Sequence, residues 1–244
     1  MAHKPLAHDL KLRDTLPLDK GAIEHMHEPV IACLDMEGVL TPEIWINVAD
    51  KTGIADLRLT TRDVPDYDAL MKRRLGILDH HGLKLADLQE VIGRLSPLEG
   101  AVEFVDWLRE RCQVVVLSDT FYEFAAPLMR QFGYPALFCN RLEVDQGGRI
   151  SAYYLRQRNQ KRQAIVALKS LYFKTVAIGD AYNDTPMLLE ADAGIFFRPP
   201  DKIVKEFPQI PVTRTYAELR EQQHGGHLGH HRVGRDLDLR PVVE

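Results

Sequence analysis

Short apolar segments that end in acidic or hydroxyl residues recur along the sequence, and helical patterns separate them. Uninterrupted apolar runs of this length are typical of strands that are buried on both faces of a sheet. Strands that alternate with helices predict an α/β fold, here a Rossmann-like parallel sheet with helices on both faces. The segments that we predict as strands are residues 30–34, 114–118, 175–180 and 194–197.

A helical stretch interrupts this alternation directly after the first strand. Met71, Leu75 and Leu78 have i, i+4, i+7 spacing, which places them on one face of a helix, and Leu85–Leu95 is a second amphipathic segment. We therefore predict a small all-helical cap that is inserted into the α/β core. The predicted organisation is an N-terminal extension (1–29), a core (30–41 and 98–216), the cap (42–97) and a His-rich, disordered tail (217–244).

The sequence predicts three further elements of the core. Residues 121–133 form a helix in which Pro127 should cause a kink or a break, because proline lacks the N–H that a helix interior needs. Two alternating segments around Asp145–Gly148 predict a β-hairpin. Lys161–Leu171 is helical, so Lys161 should lie at the start of the helix before the third predicted strand.

Composition excludes several classes of protein. A net charge of −4 gives no basic surface for nucleic acid, and no apolar run approaches the ~20 residues of a membrane helix. The three dispersed cysteines are typical of a reducing cytoplasm, where we expect the protein. Only His80 and His81 fall inside the predicted fold, so catalysis through a histidine base is disfavoured.

Acidic residues follow two of the predicted strands. In open α/β sheets, ligands bind beyond the carboxyl ends of the strands. If the strands are neighbours, Asp35, Glu37, Asp180 and Asp184 converge on one crevice as an all-oxygen cluster. Ligands of this kind suit a hard cation such as Mg²⁺, whose charge offsets the repulsion between carboxylates.

Two further residues suggest that an anion binds in the same crevice. Ser118 lies just before the predicted helix 121–133, and the free N–H groups of a helix N-terminus favour anions. Lys161 supplies a cation for phosphate oxygens, although Arg158 and Arg162 are equally basic neighbours. A metal, a cation and carboxylates together favour phosphoryl transfer, in which charge neutralisation carries much of the catalysis.

These motifs resemble those of a known family. LDMEGVL, LSDT, Lys161 and GDAYND are similar, in order and spacing, to the four motifs of the haloacid-dehalogenase-like phosphatases. Within that superfamily, Asp35 to Glu43, MKRRLGIL and SDTFYEFAAPLMRQFG resemble phosphoserine phosphatases. The resemblance is greatest to the bacterial branch that also has homoserine phosphotransferase activity, and it covers residues 30–216.

The resemblance implies roles for the acidic residues. Asp35 would be the nucleophile that becomes an aspartyl phosphate, and Glu37 would be the general acid and base. Most relatives have Asp at the position of Glu37, so this side chain is one methylene longer. Asp180 would bind Mg²⁺ directly, together with Asp35 and the backbone carbonyl of Glu37, and Asp184 would act nearby through water.

The resemblance also implies a set of substrate contacts. Ser118 and Lys161 would hold the phosphate, and Asn183 would orient groups at the site. Glu43 and Arg74 would grip the amino and carboxylate groups of serine, since an Arg fork can bind both carboxylate oxygens. The implied substrate is O-phospho-L-serine, with homoserine as an alternative phosphoryl acceptor, and the oligomeric state stays open, a homodimer included.

Other interpretations of these residues are simpler. Asp184 could be a helix cap, Glu43 could be a first-turn acid, and Arg74 could belong to a solvated run of charges with its basic neighbours. Trp45 and Trp107 are interpreted as packing residues. The alternative functions are a phosphatase for another small phosphomonoester and a non-catalytic protein that binds phosphorylated metabolites.

Overall fold

A computed structural model of the chain describes residues 29–60, 63–64 and 66–224. The predicted N-terminal extension, apart from Pro29, and the histidines of the tail after His224 lie outside these residues. Across the described part of the chain, no helix combines the length and the apolar character that a bilayer crossing requires.

Seven strands form one sheet in the order β4-β3-β2-β1-β5-β6-β7. All neighbours are parallel except the β3–β4 pair, which confirms the predicted mostly parallel α/β fold. The strands are β1 (Val30–Leu34), β2 (Gln113–Phe121), β3 (Ala136–Val144), β4 (Ile150–Tyr154), β5 (Lys174–Gly179), β6 (Ala193–Phe197) and β7 (Val212–Thr213).

The central strand β1 shows why an uninterrupted apolar run is needed here. Successive side chains of a strand point to opposite faces. Ala32 and Leu34 join one hydrophobic cluster, and Ile31 and Cys33 join the other. Each face of the sheet is therefore covered by its own apolar layer, which leaves the ends of the strands as the place for polar residues.

The helices cover the sheet and also fill the predicted insertion. Three helices and a 3₁₀ turn at Ala55–Arg58 lie between the end of β1 and Ala101. The separation of residues 42–97 as a cap domain stays a prediction. The helices are α1 (Ile44–Thr52), α2 (Tyr67–His80), α3 (Leu85–Gly93), α4 (Ala101–Arg109), α5 (Tyr122–Gln131), α6 (Gln160–Ser170), α7 (Thr185–Glu190), α8 (Asp201–Glu206) and α9 (Tyr216–His224).

The β3–β4 hairpin is tied to the inserted helices. Its predicted turn is confirmed by the hydrogen bonds between Asp145 and Arg149 and between Gly148 and Asp145. Arg149 forms an ion pair with Asp79 of α2, and the hydroxyl of Tyr153 donates to Asp68 of the same helix. The hairpin thus holds the inserted helices against the edge of the sheet.

Two predicted helical regions differ in part from the structure. Helix α5 runs through Pro127 without a break, whereas a kink at this residue stays a prediction. The missing N–H of Pro127 leaves the carbonyl of Glu123 without a helical donor, and the side-chain amide of Gln89 donates to that carbonyl at 2.8 Å. The tail does not begin at residue 217, because α9 continues to His224, with Tyr216 stacked on Phe197 and Leu219 buried.

Candidate active site

Carboxylates from two neighbouring strand ends lie together at the carboxyl edge of the sheet. β1 and β5 are adjacent and parallel, and the N–H of Asp35 donates to the carbonyl of Ile178 at 2.9 Å. One carboxylate oxygen from each of Asp35, Asp180 and Asp184 lies within 4.8 Å of the others. The predicted convergence of these three acids is confirmed, and hard oxygen donors at such distances fit a divalent cation.

Glycine permits this close approach. Gly38 has a φ of 82°, and a Cβ atom at this position would lie 2.4 Å from Oδ2 of Asp180. Any other residue would be strained in its backbone and would collide with the carboxylate. The Gly38 turn therefore allows the loop after β1 to pack directly against Asp180.

Asp184 holds the loop after β5 and also faces the acidic cluster. Its Oδ2 atom accepts hydrogen bonds from the N–H groups of Asp180 and Ala181, both at 3.0 Å, and its Oδ1 atom accepts one from Lys161. The side chain is fully buried. Asp184 also directly precedes α7, but it makes no side-chain capping hydrogen bond to that helix, so its carboxylate serves the loop and the cluster.

Lys161 is the cation of the site. Its ammonium donates to Oδ1 of Asp35 and to Oδ1 of Asp184, each at 2.7 Å, and only 3% of its side chain is exposed. Arg162, one of the rival basic residues, instead pairs with Glu190 at 2.6 Å on a more exposed surface. The backbone of Asn159 adopts a left-handed conformation, with φ at 51°, immediately before α6, and Lys161 then lies in the first turn of the helix.

The buried charges shift one another's pKa values. Burial and the neighbouring Asp184 raise the pKa of Asp35 well above its usual range, and Lys161 only partly opposes them. Burial lowers the pKa of Lys161, but the surrounding carboxylates outweigh it and raise the pKa overall. The cluster holds three carboxylates, and only Asp35 and Asp184 contact the single ammonium of Lys161, so the excess of acidic groups favours a further cation.

Glu37 occupies a different position from the three clustered aspartates. Its Oε1 atom accepts a hydrogen bond from the N–H of Ile44 at 2.6 Å, at the start of α1. Burial, followed by the charge of Glu43, raises the pKa of Glu37 to about 7, although the Ile44 hydrogen bond and Arg74 act in the opposite direction. Such a pKa suits a group that gives and takes protons near neutral pH.

The prediction that the Glu37 carboxylate belongs to the acidic cluster was therefore wrong, since that cluster comprises the three aspartates. The physical reason is the free N–H of Ile44 at the helix start, which holds the longer glutamate side chain. A metal contact through the backbone carbonyl of Glu37 stays a prediction.

Ser118 lies at the site, but its surroundings differ from the prediction. β2 continues to Phe121, so α5 begins four residues after Ser118 and its N–H groups are not next to this residue. Ser118 is buried, and its hydroxyl accepts a hydrogen bond from the N–H of Thr120 at 3.2 Å. Any anion contact at Ser118 must therefore come from the strand end itself.

A polar network that the sequence interpretation missed surrounds Asp119. Its carboxylate accepts hydrogen bonds from the side-chain amides of Gln160 and Asn183, both at 2.9 Å, and lies 3.7 Å from the ammonium of Lys161. Burial raises the pKa of Asp119, but Lys161 and the two amides lower it more, so the net shift is downward. The only sequence signal was the position of Asp119 beside Ser118 at a strand end.

Arg74 lies in the protein interior, unlike its basic neighbours. Its guanidinium stacks 4.4 Å from the ring centre of Trp45 and donates to the carbonyl of Leu59 at 2.8 Å. Its Nε atom is buried and has no hydrogen-bond partner among the described residues. By contrast, the side chain of Arg73 is 48% exposed and pairs with Asp56. The solvated-run interpretation is therefore wrong for Arg74.

Glu43 is near Arg74 but is exposed. It lies at the N-cap of α1 and makes no side-chain capping hydrogen bond. Burial lowers the pKa of Arg74 to about 10, and the charges of Tyr67, Glu37 and Glu43 act against that shift. A buried guanidinium with an unused donor, next to an exposed carboxylate, is suited to a ligand that carries both a carboxylate and an ammonium group.

An α/β sheet with a carboxylate-rich site at its carboxyl edge defines a class of hydrolases. Residues 31–192 match the family of haloacid dehalogenase-like hydrolases. The chain belongs to this family.

The chain is also similar in sequence to two phosphoserine phosphatases of Pseudomonas species. The chain is 65% identical over 192 residues to a phosphoserine phosphatase of Pseudomonas syringae pv. tomato, covering 79% of this chain and 81% of the relative. It is 64% identical to phosphoserine phosphatase ThrH of Pseudomonas aeruginosa, covering 79% of this chain and 94% of the relative.

Two solved structures of phosphoserine phosphatase have a fold similar to that of this chain. An apo phosphoserine phosphatase matches with a TM-score of 0.66 at 23% identity, over 79% of this chain and 98% of the other. A phospho-aspartyl intermediate analogue of phosphoserine phosphatase matches with a TM-score of 0.68 at 22% identity, over 80% and 99% of the two chains. At these identities, the likeness concerns the fold.

The acidic cluster predicts that divalent cations stabilise the folded protein. At a Mg²⁺ concentration about 100 times Kd, we expect the thermal unfolding midpoint to rise by roughly 5–10 °C, because the ion binds only the folded state. Asp180→Asn should remove most of this rise, and Asp106→Asn, on the exposed face of α4, should retain it. An equal rise in the Asp180→Asn variant would place the cation elsewhere.

Proposed function

We propose that this protein is a Mg²⁺-dependent phosphoserine phosphatase that acts through an aspartyl phosphate on Asp35. The observation that carries the proposal is the close approach of the carboxylates of Asp35, Asp180 and Asp184, two of which, Asp35 and Asp184, also bind the buried ammonium of Lys161. The names of the two relatives at 64–65% identity support phosphoserine as the substrate.

The reaction proceeds in two displacements. A carboxylate oxygen of Asp35 attacks the phosphorus of O-phospho-L-serine, the bond from phosphorus to the serine oxygen breaks, and Glu37 donates its proton to that oxygen. Water then attacks the phosphorus while Glu37 takes a proton from it, and the bond to Asp35 breaks to release phosphate. The pKa of Glu37, raised to about 7 by burial, suits both proton transfers.

The chain's own residues define the surroundings of the phosphate. Asp35 and Asp180, with the backbone carbonyl of Glu37, would hold Mg²⁺, and Asp184 would act through water. When bound, the ion supplies positive charge that offsets the negative charge of the carboxylates and of the phosphate. Lys161 and Ser118 bind phosphate oxygens, and Asn183 orients groups beside them.

Arg74 and Glu43 recognise the amino-acid part of the substrate. The buried Nε atom of Arg74, which has no hydrogen-bond partner among the described residues, would donate to the substrate carboxylate, while Trp45 holds the guanidinium by stacking. Glu43 is exposed and can accept the substrate ammonium group. This pair distinguishes phosphoserine from a phosphomonoester that lacks both charged groups.

Transfer to homoserine is a second activity that the same site supports. Homoserine carries the same ammonium and carboxylate groups as serine, so Arg74 and Glu43 can hold it after serine leaves. Its hydroxyl oxygen would attack the aspartyl phosphate in place of water, with Glu37 taking the hydroxyl proton. Glu37, longer than the Asp of most relatives, provides the reach that a changed acceptor requires. A cytoplasmic location and a homodimer stay predictions.

Removal of the nucleophile tests the proposed mechanism. We expect Asp35→Asn to lower phosphoserine turnover by at least a factor on the order of 10⁴, because an amide oxygen is a poor nucleophile. Circular dichroism should show a folded variant, since an asparagine oxygen can still accept the Lys161 hydrogen bond. The Asp106→Asn control should retain full activity. Normal turnover by Asp35→Asn would remove Asp35 from the mechanism.

Removal of the guanidinium tests the substrate. Arg74→Ala should lower kcat/KM for phosphoserine by about 100-fold, equivalent to about 2.8 kcal/mol, because a charged contact to the carboxylate is lost. Turnover of p-nitrophenyl phosphate should change little. When homoserine is added, phosphohomoserine should form with the wild type and not with Arg74→Ala.

The matched control for this test is Arg73→Ala, which removes an exposed arginine next in sequence and should leave both substrates unaffected. An unchanged kcat/KM for phosphoserine in Arg74→Ala would favour another phosphomonoester as the substrate.

A further inference from the structure

Asp119 contacts three of the polar side chains around the proposed phosphate site. Its Oδ1 atom accepts from the amide of Gln160 at 2.9 Å, and its Oδ2 atom accepts from the amide of Asn183 at 2.9 Å. The same Oδ2 atom lies 3.7 Å from the ammonium of Lys161. One carboxylate thus links the end of β2 to the first turn of α6 and to the 3₁₀ turn at Tyr182–Asp184, which follows β5.

The backbone of Asp119 is itself held in place. Its carbonyl accepts from the side-chain amide of Asn140 on β3 at 2.9 Å and from the hydroxyl of Tyr67 on α2 at 3.2 Å. Asn140 is fixed in turn, because its own side-chain oxygen accepts from the N–H of Arg156 at 3.0 Å. Contacts from both the sheet and the inserted helices therefore define where the Asp119 carboxylate lies.

The charge of Asp119 is unfavourable for binding an anion. The site already contains Asp35 and Asp184 against the single ammonium of Lys161, and Asp119 adds another negative charge at 3.7 Å from it. If electrostatics alone mattered, a neutral residue here would bind phosphate better. A benefit from this carboxylate must therefore come from the geometry that it imposes on its donors.

Asp119 is suited to impose that geometry. A lysine ammonium on a flexible four-carbon stem can point in many directions, and an asparagine amide can rotate. The carboxylate of Asp119, 3.7 Å from the ammonium, adds a third negative group beside Asp35 and Asp184 and so narrows the directions in which the ammonium can point. The hydrogen bond to Asp119 also fixes which edge of the Asn183 amide faces it, and so which edge is left for a ligand.

We propose that Asp119 is a positioning residue that orients Lys161 and Asn183 for the phosphoryl group. The proposal rests on the proposed function, because a phosphate is the group that both side chains would bind. Asp119 itself does not contact the reacting atoms. It acts through the two donors that it holds.

The test compares Asp119→Ala, Asp119→Asn and Asp106→Asn in the Mg²⁺-loaded protein. Calorimetric titration with inorganic phosphate should give a Kd about 10-fold higher for Asp119→Ala, by analogy with residues that orient metal ligands, whose loss costs about 10–100-fold. Asp119→Asn, which keeps one oxygen acceptor, should show a smaller increase. Asp106→Asn, which removes a charge from a distant surface, should match the wild type.

The sign of the change in phosphate affinity decides the outcome. Weaker phosphate binding despite the loss of a negative charge supports positioning, and a parallel fall in kcat for phosphoserine agrees with it. Unchanged or tighter phosphate binding in the folded Asp119 variants overturns the proposal, whatever happens to kcat. If Asp119→Ala does not fold, the isosteric Asp119→Asn carries the same test.

This test is separable from that of the proposed function. Phosphate binding is measured without turnover, so a wild type that fails to hydrolyse phosphoserine would refute the phosphatase proposal alone. Conversely, an active wild type whose Asp119 variants bind phosphate normally would refute only the positioning role.

Discussion

The buried ammonium of Lys161, bonded to Asp35 and Asp184, is the interaction on which the site depends. Two carboxylates from different strand ends are held close together in the protein interior, where unpaired charges are costly. The lysine compensates part of that charge, and the remaining excess creates the affinity for a divalent cation. The side chain of Lys161 thus links the arrangement of the strands in the sheet to the chemistry of the site.

The features that follow from chain direction and hydrophobic pattern were predictable from the sequence. The apolar segments locate β1 and β5, and parallel strands must present their carboxyl ends at one edge, so the meeting of Asp35 and Asp180 follows from the fold. Ser118 shows the limit of such reasoning. The end of β2 was placed too early, because the polar residues Ser118, Asp119 and Thr120 interrupt the apolar run although the strand continues through them to Phe121.

Contacts between polar side chains distant in sequence could not be predicted in the same way. Asp119 meets Gln160 and Asn183 across 41 and 64 positions of the chain, and no periodicity relates them. The burial of Arg74 was equally hidden, since its sequence neighbours are basic and exposed. Only the packing of α2 against α1, which places Trp45 beneath the guanidinium, distinguishes this arginine.

The inserted helices and the hairpin extend the site beyond the sheet edge. The pairs Arg149–Asp79 and Tyr153–Asp68 hold α2 close to the strands, while the hydroxyl of Tyr67 reaches the carbonyl of Asp119. Helix α2 thus carries Arg74 and also contacts the strand end at Asp119, so the two parts of the proposed substrate site share one element. In the proposed mechanism, inserted helices that cover the site would limit access of water to the aspartyl phosphate, which bears on the choice between hydrolysis and transfer.

Direct detection of the covalent intermediate tests the central claim. The enzyme would be mixed with Mg²⁺ and O-phospho-L-serine that carries radiolabelled phosphate, quenched in acid during turnover, digested and mapped by peptide. The account predicts label on the peptide that contains Asp35, with the bond stability of an acyl phosphate. Turnover of phosphoserine without label on that peptide, or with label on a different residue, would contradict it.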